Sequence, residues 1–252
     1  MTHPFRRARR SACTRPGRLA LRASLLAPLL AVSVVCAAHA AERAKGAEPD
    51  TWYASAMAKT DRSFFLTHYW SKGARLRAET VLGGRRLITI VNGPTYYTLD
   101  PTRGIGLAIE RSELARAGDA KRERPFGDEL VALERAGGEL VGEGTLNGQP
   151  VEQYRLTNET GRVEVWVTMD LKLPVRVVRF LRDAGESDQT DYVNWLRDLP
   201  IDDRFFEPPS GIDIERIGYD DYVRKSATQP LGPAPPFYGH LLHGEPDTDR
   251  AR

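Results

Sequence analysis

Residues 161–181, GRVEVWVTMDLKLPVRVVRFL, decide the fold. Val163, Val165 and Val167 alternate with polar or larger side chains, a period of two that predicts a strand with one apolar face. Pro174 opens a second β-rich run after a short connection, which is tolerated because the first residue of a strand need not donate to the ladder. The two runs predict an antiparallel hairpin, and we expect the sheet to extend outward from it.

Short alternating runs separated by turn residues recur on both sides of this hairpin. Gly83-Gly84 and Asn92-Gly93 separate three such runs upstream, and Asn147-Gly148 is the strongest hairpin turn in the chain. This spacing predicts roughly nine or ten short strands in one antiparallel sheet.

Few segments have helical periodicity. We predict a first helix over residues 48–59, a short helix and loop with a solvated charged face over 111–124, and a clearer helix over 126–136. A final strand and short helix are expected within 212–226. These helices are too few for so large an apolar sheet face, so either the sheet curls on itself or part of the face bounds a cavity.

Residues 1–40 have the layout of a signal peptide. They carry seven arginines and no acidic residue, followed by an apolar run and Ala38-His39-Ala40, which predicts cleavage after Ala40. Cys36 leaves open a lipoprotein cleavage with acylation of its thiol, although Val35 before it is not a small residue. We expect residues 41–226 to form one domain and residues 227–252 to be a disordered, Pro-rich tail.

The charge of the mature chain argues against nucleic-acid binding. Of the 36 basic residues seven lie in the signal peptide, which leaves 29 against 34 acidic residues and a net charge of −5. A basic surface for nucleic acid is therefore not predicted.

Catalytic and metal-binding motifs are not found in the sequence. The three histidines outside the signal peptide are His68, within an aromatic strand, and His240 and His243, in the Pro-rich tail. We therefore predict a protein without catalysis, metal or cofactor. The alternative is a hydrolase that uses His68.

Apolar residues at alternating strand positions are the better candidates for function. We predict that nine of them form one concave, ligand-binding surface, with a simple closed core as the alternative. These residues are Trp70, Leu76, Ile88, Ile90, Tyr97, Leu107, Val165, Val167 and Val177.

Several short motifs, taken in order, resemble a known family. The chain has GTLNG at 144–148, YRL at 154–156, VWV at 165–167, LPVR at 173–176 and FEPPSG at 206–211. This order is similar to that of the outer-membrane lipoprotein-sorting proteins and their broader LolA/LolB-like superfamily.

The resemblance implies a mainly β (α+β) fold, a curved antiparallel β half-barrel that is not closed, with a few covering helices. It also implies a periplasmic carrier or sensor that binds lipid or lipoprotein acyl chains in the concave face, with peripheral membrane contact. The alternative is an envelope-assembly scaffold with a closed core, envelope-protein partners and no lipid ligand.

Overall fold

The structure, a computed structural model, describes residues 49–60, 63–182 and 186–244. The predicted signal peptide and Cys36 lie outside the described residues, and so does the end of the predicted tail.

The described chain contains twelve β-strands in a single sheet. The first six are β1 (Thr51–Lys59), β2 (Phe64–Lys72), β3 (Arg75–Leu82), β4 (Arg85–Asn92), β5 (Thr95–Asp100) and β6 (Ile105–Glu110). The other six are β7 (Glu139–Leu146), β8 (Gln149–Thr157), β9 (Gly161–Thr168), β10 (Pro174–Leu181), β11 (Glu186–Arg197) and β12 (Asp213–Ile217).

Two meanders are joined side by side in this sheet, whose order is β12-β6-β5-β4-β3-β2-β1-β11-β10-β9-β8-β7. Strands β1–β6 form the first meander and β7–β11 the second, and the two meet where β1 pairs antiparallel with β11. The last strand, β12, pairs parallel with β6. The sheet is not closed into a barrel, so the predicted open, mainly β fold is confirmed.

The hairpins form where the turn residues predict them. Strands β9 and β10 are antiparallel neighbours, with Val165 opposite Val177. Asn147 and Gly148 both have positive φ, 53° and 81°, between β7 and β8, as a type I′ hairpin turn requires.

The predicted first helix is wrong, because residues 51–59 form β1. Trp52, Ala54 and Ala56 are buried on one side of this strand. Trp52 and Ala56 also have the four-residue spacing of a helix, so the pattern fits both periods. The segment forms a strand because it pairs with β2 on one side and with β11 on the other.

Four short helices and two 3₁₀ turns complete the described part of the fold. The helices are α1 (Glu113–Gly118), α2 (Glu129–Arg135), α3 (Tyr219–Ser226) and α4 (Gly239–His243), and the 3₁₀ turns are Asp119–Lys121 and Asp203–Phe206. The predicted helices near residues 113 and 130, and the strand and helix within 212–226, are confirmed.

The C-terminal segment packs against the sheet as far as residue 244, contrary to the disordered tail predicted from residue 227. Leu241 and Leu242 of α4 are 1% and 0% exposed, and Ala234 is also buried. The proline content suggested a tail, but two adjacent leucines provide enough apolar surface to anchor it.

The helices pack on one side of the sheet, which we call the covered face; the opposite side is the outer face. Trp52, Ala54 and Ala56 of β1 share the main core with Leu130 of α2 and Leu242 of α4. We call residues 111–135 and 219–243, which contain the four helices, the cover.

Candidate functional site

Five of the nine predicted cavity residues lie together on the covered face. They are all buried in the main core beneath the cover: Leu76, Leu107, Val165, Val167 and Val177.

The other four lie on the outer face, so the prediction that all nine share one surface is wrong. Trp70 is opposite Arg77, and Ile90 is opposite the same arginine from the next strand. Ile88 and Ile90 form a separate small core with Leu99. Strand β4 is apolar on both sides, so alternation within it could not decide which residues face the helices. The partly buried Tyr97 packs against this second core.

The main core is filled by side chains from the cover. Phe126, Leu130 and Leu133 come from the first part of the cover and Leu241 and Leu242 from the second, and all five are buried. Where the resemblance implied an open surface for acyl chains, the covered face therefore contacts the protein's own side chains.

An aromatic cluster holds residues 122–128, here called the insert, against the sheet. The Arg124 guanidinium carbon lies 5.1 Å from the ring centroid of Trp52 and 5.2 Å from that of Trp195. Phe126 stacks on Trp195 with ring centroids 5.6 Å apart. Burial lowers the pKa of the Arg124 guanidinium, although Glu123 opposes this shift. The insert is thus anchored by rings, with a cation enclosed among them.

Arg111 connects the cover to the end of the sheet. Its guanidinium donates to both carboxylate oxygens of Asp119, at 2.8 and 2.7 Å, and to the carbonyl oxygens of Gly93 at 2.7 Å and Leu241 at 2.6 Å. Arg111 is 1% exposed, so the prediction that residues 111–124 form a solvated face is wrong at this position. Burial is tolerated because the cation is paired and its donors are satisfied.

The two parts of the cover are also joined directly. The backbone N–H of Ser112 donates to the carbonyl oxygen of Leu242 at 3.0 Å, and its hydroxyl donates to that of His243 at 2.8 Å. The Ser112 hydroxyl also caps α1 by accepting from the N–H of Ala115. The start of α1 and the end of α4 are therefore linked.

A cavity of about 400 Å³ lies between α2, strands β8–β10 and α4. Its wall combines apolar surface with charged groups, which suits an amphipathic molecule better than a purely apolar one. The lining residues are Asp128, Glu129, Ala132, Leu133, Ala136, Leu156, Val163, Arg179 and His240.

Glu129 is the lining residue with the most unusual environment. The Tyr192 hydroxyl donates to its Oε1 at 2.7 Å, whereas its Oε2 is buried and has no hydrogen-bond partner. Burial raises the pKa of this carboxyl, and the hydrogen bond from Tyr192 and the charge of Arg179 oppose the shift. The carboxyl thus has one oxygen bonded to Tyr192 and one enclosed by the protein without a partner.

The sequence around Glu129 does not indicate this buried environment. Asp128 and Glu129 read as ordinary acidic residues in the first turn of a helix. Tyr192 is 63 residues away, and only the packing of α2 on the sheet brings it within reach of Glu129.

A larger groove of about 540 Å³ lies between α1 and the beginning of α3. Its lining is polar and includes Glu110, Glu113, Asp220 and Asp221, so it offers little surface to an apolar ligand. In the part of the chain that the structure describes, no group of three or more His, Cys, Asp or Glu side chains is placed to hold a metal ion.

His68 and His243 make contacts within the protein. His68 lies with its Nδ1 2.8 Å from the Tyr53 hydroxyl, and its ring stacks on Trp70. The Nδ1 of His243 is 3.1 Å from the Tyr219 hydroxyl.

None of the helices in residues 49–60, 63–182 and 186–244 is both long and apolar enough to cross a membrane.

Several known structures are similar to this one at low sequence identity. A crystal structure of an uncharacterized conserved protein from Thermus thermophilus has a TM-score of 0.50 at 12% identity, over 72% of this chain and 99% of that chain. The MucA/MucB complex from Pseudomonas aeruginosa has a TM-score of 0.43 at 13% identity, over 67% of this chain and 59% of that chain.

A putative outer membrane lipoprotein-sorting protein domain from Vibrio parahaemolyticus is also similar, with a TM-score of 0.30 at 13% identity over 67% of this chain and 94% of that chain. A structure of the kind that the sequence motifs resemble is thus among the matches. No protein-family model and no curated protein sequence matches the chain. At 12% identity and a TM-score of 0.50, the Thermus thermophilus structure shows the fold alone.

Proposed function

We propose that this protein is a periplasmic carrier or sensor for a hydrophobic ligand, without catalysis, exported by the signal peptide in residues 1–40. The ligand is a lipid or the acyl chain of a lipoprotein. The observation that carries the proposal is the cavity of about 400 Å³ at the boundary between the covered face and the cover.

The cover is suited to move without breaking the sheet. Its four helices have only five to eight residues each, and helices this short depend on packing for their stability. A ligand chain that enters beside α2 would extend the cavity by displacing cover side chains such as Leu133.

The energetics allow such an exchange. Burial of each methylene group is worth about 0.8 kcal/mol, so a chain of a dozen methylenes gains on the order of 10 kcal/mol. Part of this gain replaces contacts that Leu133 and Leu130 already make with the core. The net affinity is the difference between the two, which permits release as well as loading.

Lipid mass spectrometry on the mature chain tests the proposal. Residues 41–252 are to be exported to the periplasm and purified without detergent; the C-terminal segment is retained because Leu241 and Leu242 belong to the core. We expect a stoichiometric acyl-chain species in the extract.

Two matched variants on α2 make this test specific. Ala132 is exposed and lines the cavity, so Ala132→Phe should fill it from the outside and remove the bound species. Val131 is the exposed neighbour that does not line the cavity, so Val131→Phe should retain the species. A folded mature chain that contains no lipid and binds none when lipid is added contradicts the proposal.

A second candidate, an envelope-assembly scaffold, is favoured by apolar residues on the outer face. Met57 is opposite Leu66, which is opposite Val81, and Phe64 lies two positions along β2 at 60% exposure. Met57, Phe64 and Val81 are exposed and Leu66 is partly buried, so the four form an apolar patch across three strands. If the chain is lipid-free, Phe64→Ser should abolish cross-linking to an envelope protein in intact cells, whereas Val131→Ser should not.

A further inference from the structure

A second cavity, of about 230 Å³, lies between the loop that joins β9 to β10 and the end of β11. Gln149, Thr168 and Asp170 form the polar part of its wall. Leu171 and Val193 are exposed, so this cavity opens to solvent on that side. The rest of the wall is apolar or aromatic and consists of Leu171, Leu173, Val175, Tyr192, Val193 and Trp195.

Tyr192 connects the wall of this second cavity to that of the first, the cavity of about 400 Å³ beside α2. Tyr192 lines the second cavity, and its hydroxyl donates at 2.7 Å to Oε1 of Glu129, which lines the first. The Tyr192 ring is buried and stacks on Trp195 with ring centroids 5.2 Å apart. A single hydrogen-bonded pair therefore separates the two cavities.

The spacing of the two cavities along β9 matches a long chain. Val163 lines the first cavity and Thr168 the second, five residues further along the strand, which corresponds to about 17 Å. Val165 and Val167 lie between them in the main core, so the path that joins the cavities is apolar. Ligand pockets usually have volumes of about 300–1,000 Å³. The first cavity is near the lower limit of this range and the second is below it, so each alone suits only a short chain.

We propose that the two cavities are the ends of one binding channel beneath α2, and that Tyr192 divides this channel and thereby determines the length of the acyl chain that is bound. A short chain occupies the first cavity alone. A longer chain breaks the hydrogen bond between Tyr192 and Glu129 and places its end in the second cavity. This inference rests on the proposed function and adds the basis on which chain length is selected.

Calorimetric titration of the delipidated mature chain, residues 41–252, tests the channel. The ligands are dodecanoate and hexadecanoate, both below their micelle concentrations, which have the same head group and differ only in length. Dodecanoate is too short to span both cavities, whereas hexadecanoate reaches the second. Because the additional methylene groups are buried there, hexadecanoate should bind at least about tenfold more tightly.

Two substitutions on β11 show whether the second cavity holds the end of the chain. Val193→Trp fills this cavity from the solvent side, so hexadecanoate should then bind no more tightly than dodecanoate, whose own affinity should change by less than about twofold. Leu196 is exposed on the same strand and lines neither cavity, so Leu196→Trp should leave both affinities unchanged. Circular dichroism checks that both variants are folded.

A hydroxyl deletion tests the divider itself. Tyr192→Phe keeps the ring but removes the hydrogen bond that a long chain has to break, so the preference for hexadecanoate over dodecanoate should increase about threefold or more. Tyr219→Phe removes a hydroxyl that contacts His243 and lines neither cavity, so it should leave this preference unchanged.

Competition against bound hexadecanoate distinguishes the sources of the acyl chain. Displacement by a palmitoyl lysophospholipid alone supports a lipid, and displacement by an N-palmitoylated peptide alone supports a lipoprotein.

The failure of this inference and the failure of the proposed function give different results. If Val193→Trp keeps the advantage of hexadecanoate, or if Tyr192→Phe leaves the preference unchanged, the carrier function stands and the divided channel is wrong. If neither carboxylate binds to the folded protein, both proposals are wrong.

Discussion

Arg111 shows how one buried cation ties together distant parts of the chain. It contacts the turn at Gly93, the carboxylate of Asp119 and the backbone of Leu241. Because Arg111→Ala leaves Asp119 and these carbonyl groups without their donor, we expect it to lower the unfolding free energy by about 3–5 kcal/mol. Urea unfolding followed by circular dichroism measures this loss. Arg116→Ala, at an exposed position on α1, is the control and should change stability by less than about 0.5 kcal/mol.

The stability contributed by Glu129 should depend on pH. Burial raises its pKa above the usual 4.5, against the opposing effects of Tyr192 and Arg179, and Asp128 adds to the rise. Just above pH 4.5 the folded protein therefore holds a proton that the unfolded chain has released, so stability falls as pH rises through this window. Glu129→Gln has no such proton, and its stability relative to the wild type should increase between about pH 4 and about pH 7.

Urea unfolding of both proteins at the two pH values measures this change. Glu134→Gln, at an exposed position on the same helix, should keep a constant difference from the wild type. Parallel stability curves for Glu129→Gln and the wild type would show that the carboxyl group titrates in the same way in the folded and unfolded chains.

The insert is held against the sheet by a close approach that only glycine permits. Gly127 has φ of 70°, and a Cβ atom there would lie 2.5 Å from Cη2 of Trp195. Gly84, in the turn between β3 and β4, has φ of 77° and nothing within 4 Å of such an atom. Gly84→Ala should cost about 1–2 kcal/mol from backbone strain alone. Gly127→Ala should cost at least about 1 kcal/mol more, because the ring must also move.

Thermal unfolding of the two alanine variants gives the comparison directly. Equal losses for both would mean that the insert adjusts without cost and is not fixed against Trp195.

Helix α4 lies in the segment whose proline content predicts a disordered tail. Because Leu242 is completely buried in the main core, Leu242→Ala should destabilise the protein by about 2–5 kcal/mol. Val223→Ala, at an exposed position of α3, should have an effect within about 0.5 kcal/mol. Denaturant midpoints measure both, and a wild-type midpoint for Leu242→Ala would restore the prediction of an unpacked tail.

The hairpins could be predicted from their turn residues. Segments whose apolar residues fit both a helix and a strand could not be assigned from the sequence. Asn147-Gly148 predicts its hairpin because both residues must adopt positive φ there. Trp52 and Ala56 fit a helix and a strand equally well, and β4 is apolar on both sides. Which face a strand buries is decided by its partners, which a local pattern does not contain.

The candidate site was predictable only in part for the same reason. Val165 and Val177 were found because each lies on an alternating strand of the same hairpin. Glu129 was missed because its environment is formed by Arg179 of β10 and Tyr192 of β11, which are distant from it in the sequence. When distant residues determine the pKa and hydrogen bonds of a side chain, the sequence around it does not predict them.

The cover and the sheet should differ in stability. Strands β2 and β3 have neighbours on both sides, whereas α1 and α4 are short and are linked chiefly through Arg111 and Ser112. We expect backbone amides of the cover to exchange with deuterium faster than those of β2 and β3, and a bound acyl chain, with dodecanoate as the probe, to slow the exchange of the cover. Mass spectrometry of peptic peptides measures this, and equal protection everywhere would mean that the cover opens only when the whole domain unfolds.

The placement of β1 between β2 and β11 has a consequence for biosynthesis. The ribosome delivers β1 first, but its second neighbour, Glu186–Arg197, follows on the order of ten seconds later at ordinary translation rates. During that interval one edge of β1 is open to any other nascent strand. Any product that terminates before residue 186 keeps this edge permanently, so incomplete chains should co-aggregate and be degraded. Pairing with β11 thus determines whether β1 stays an exposed edge strand or becomes a central strand of the sheet.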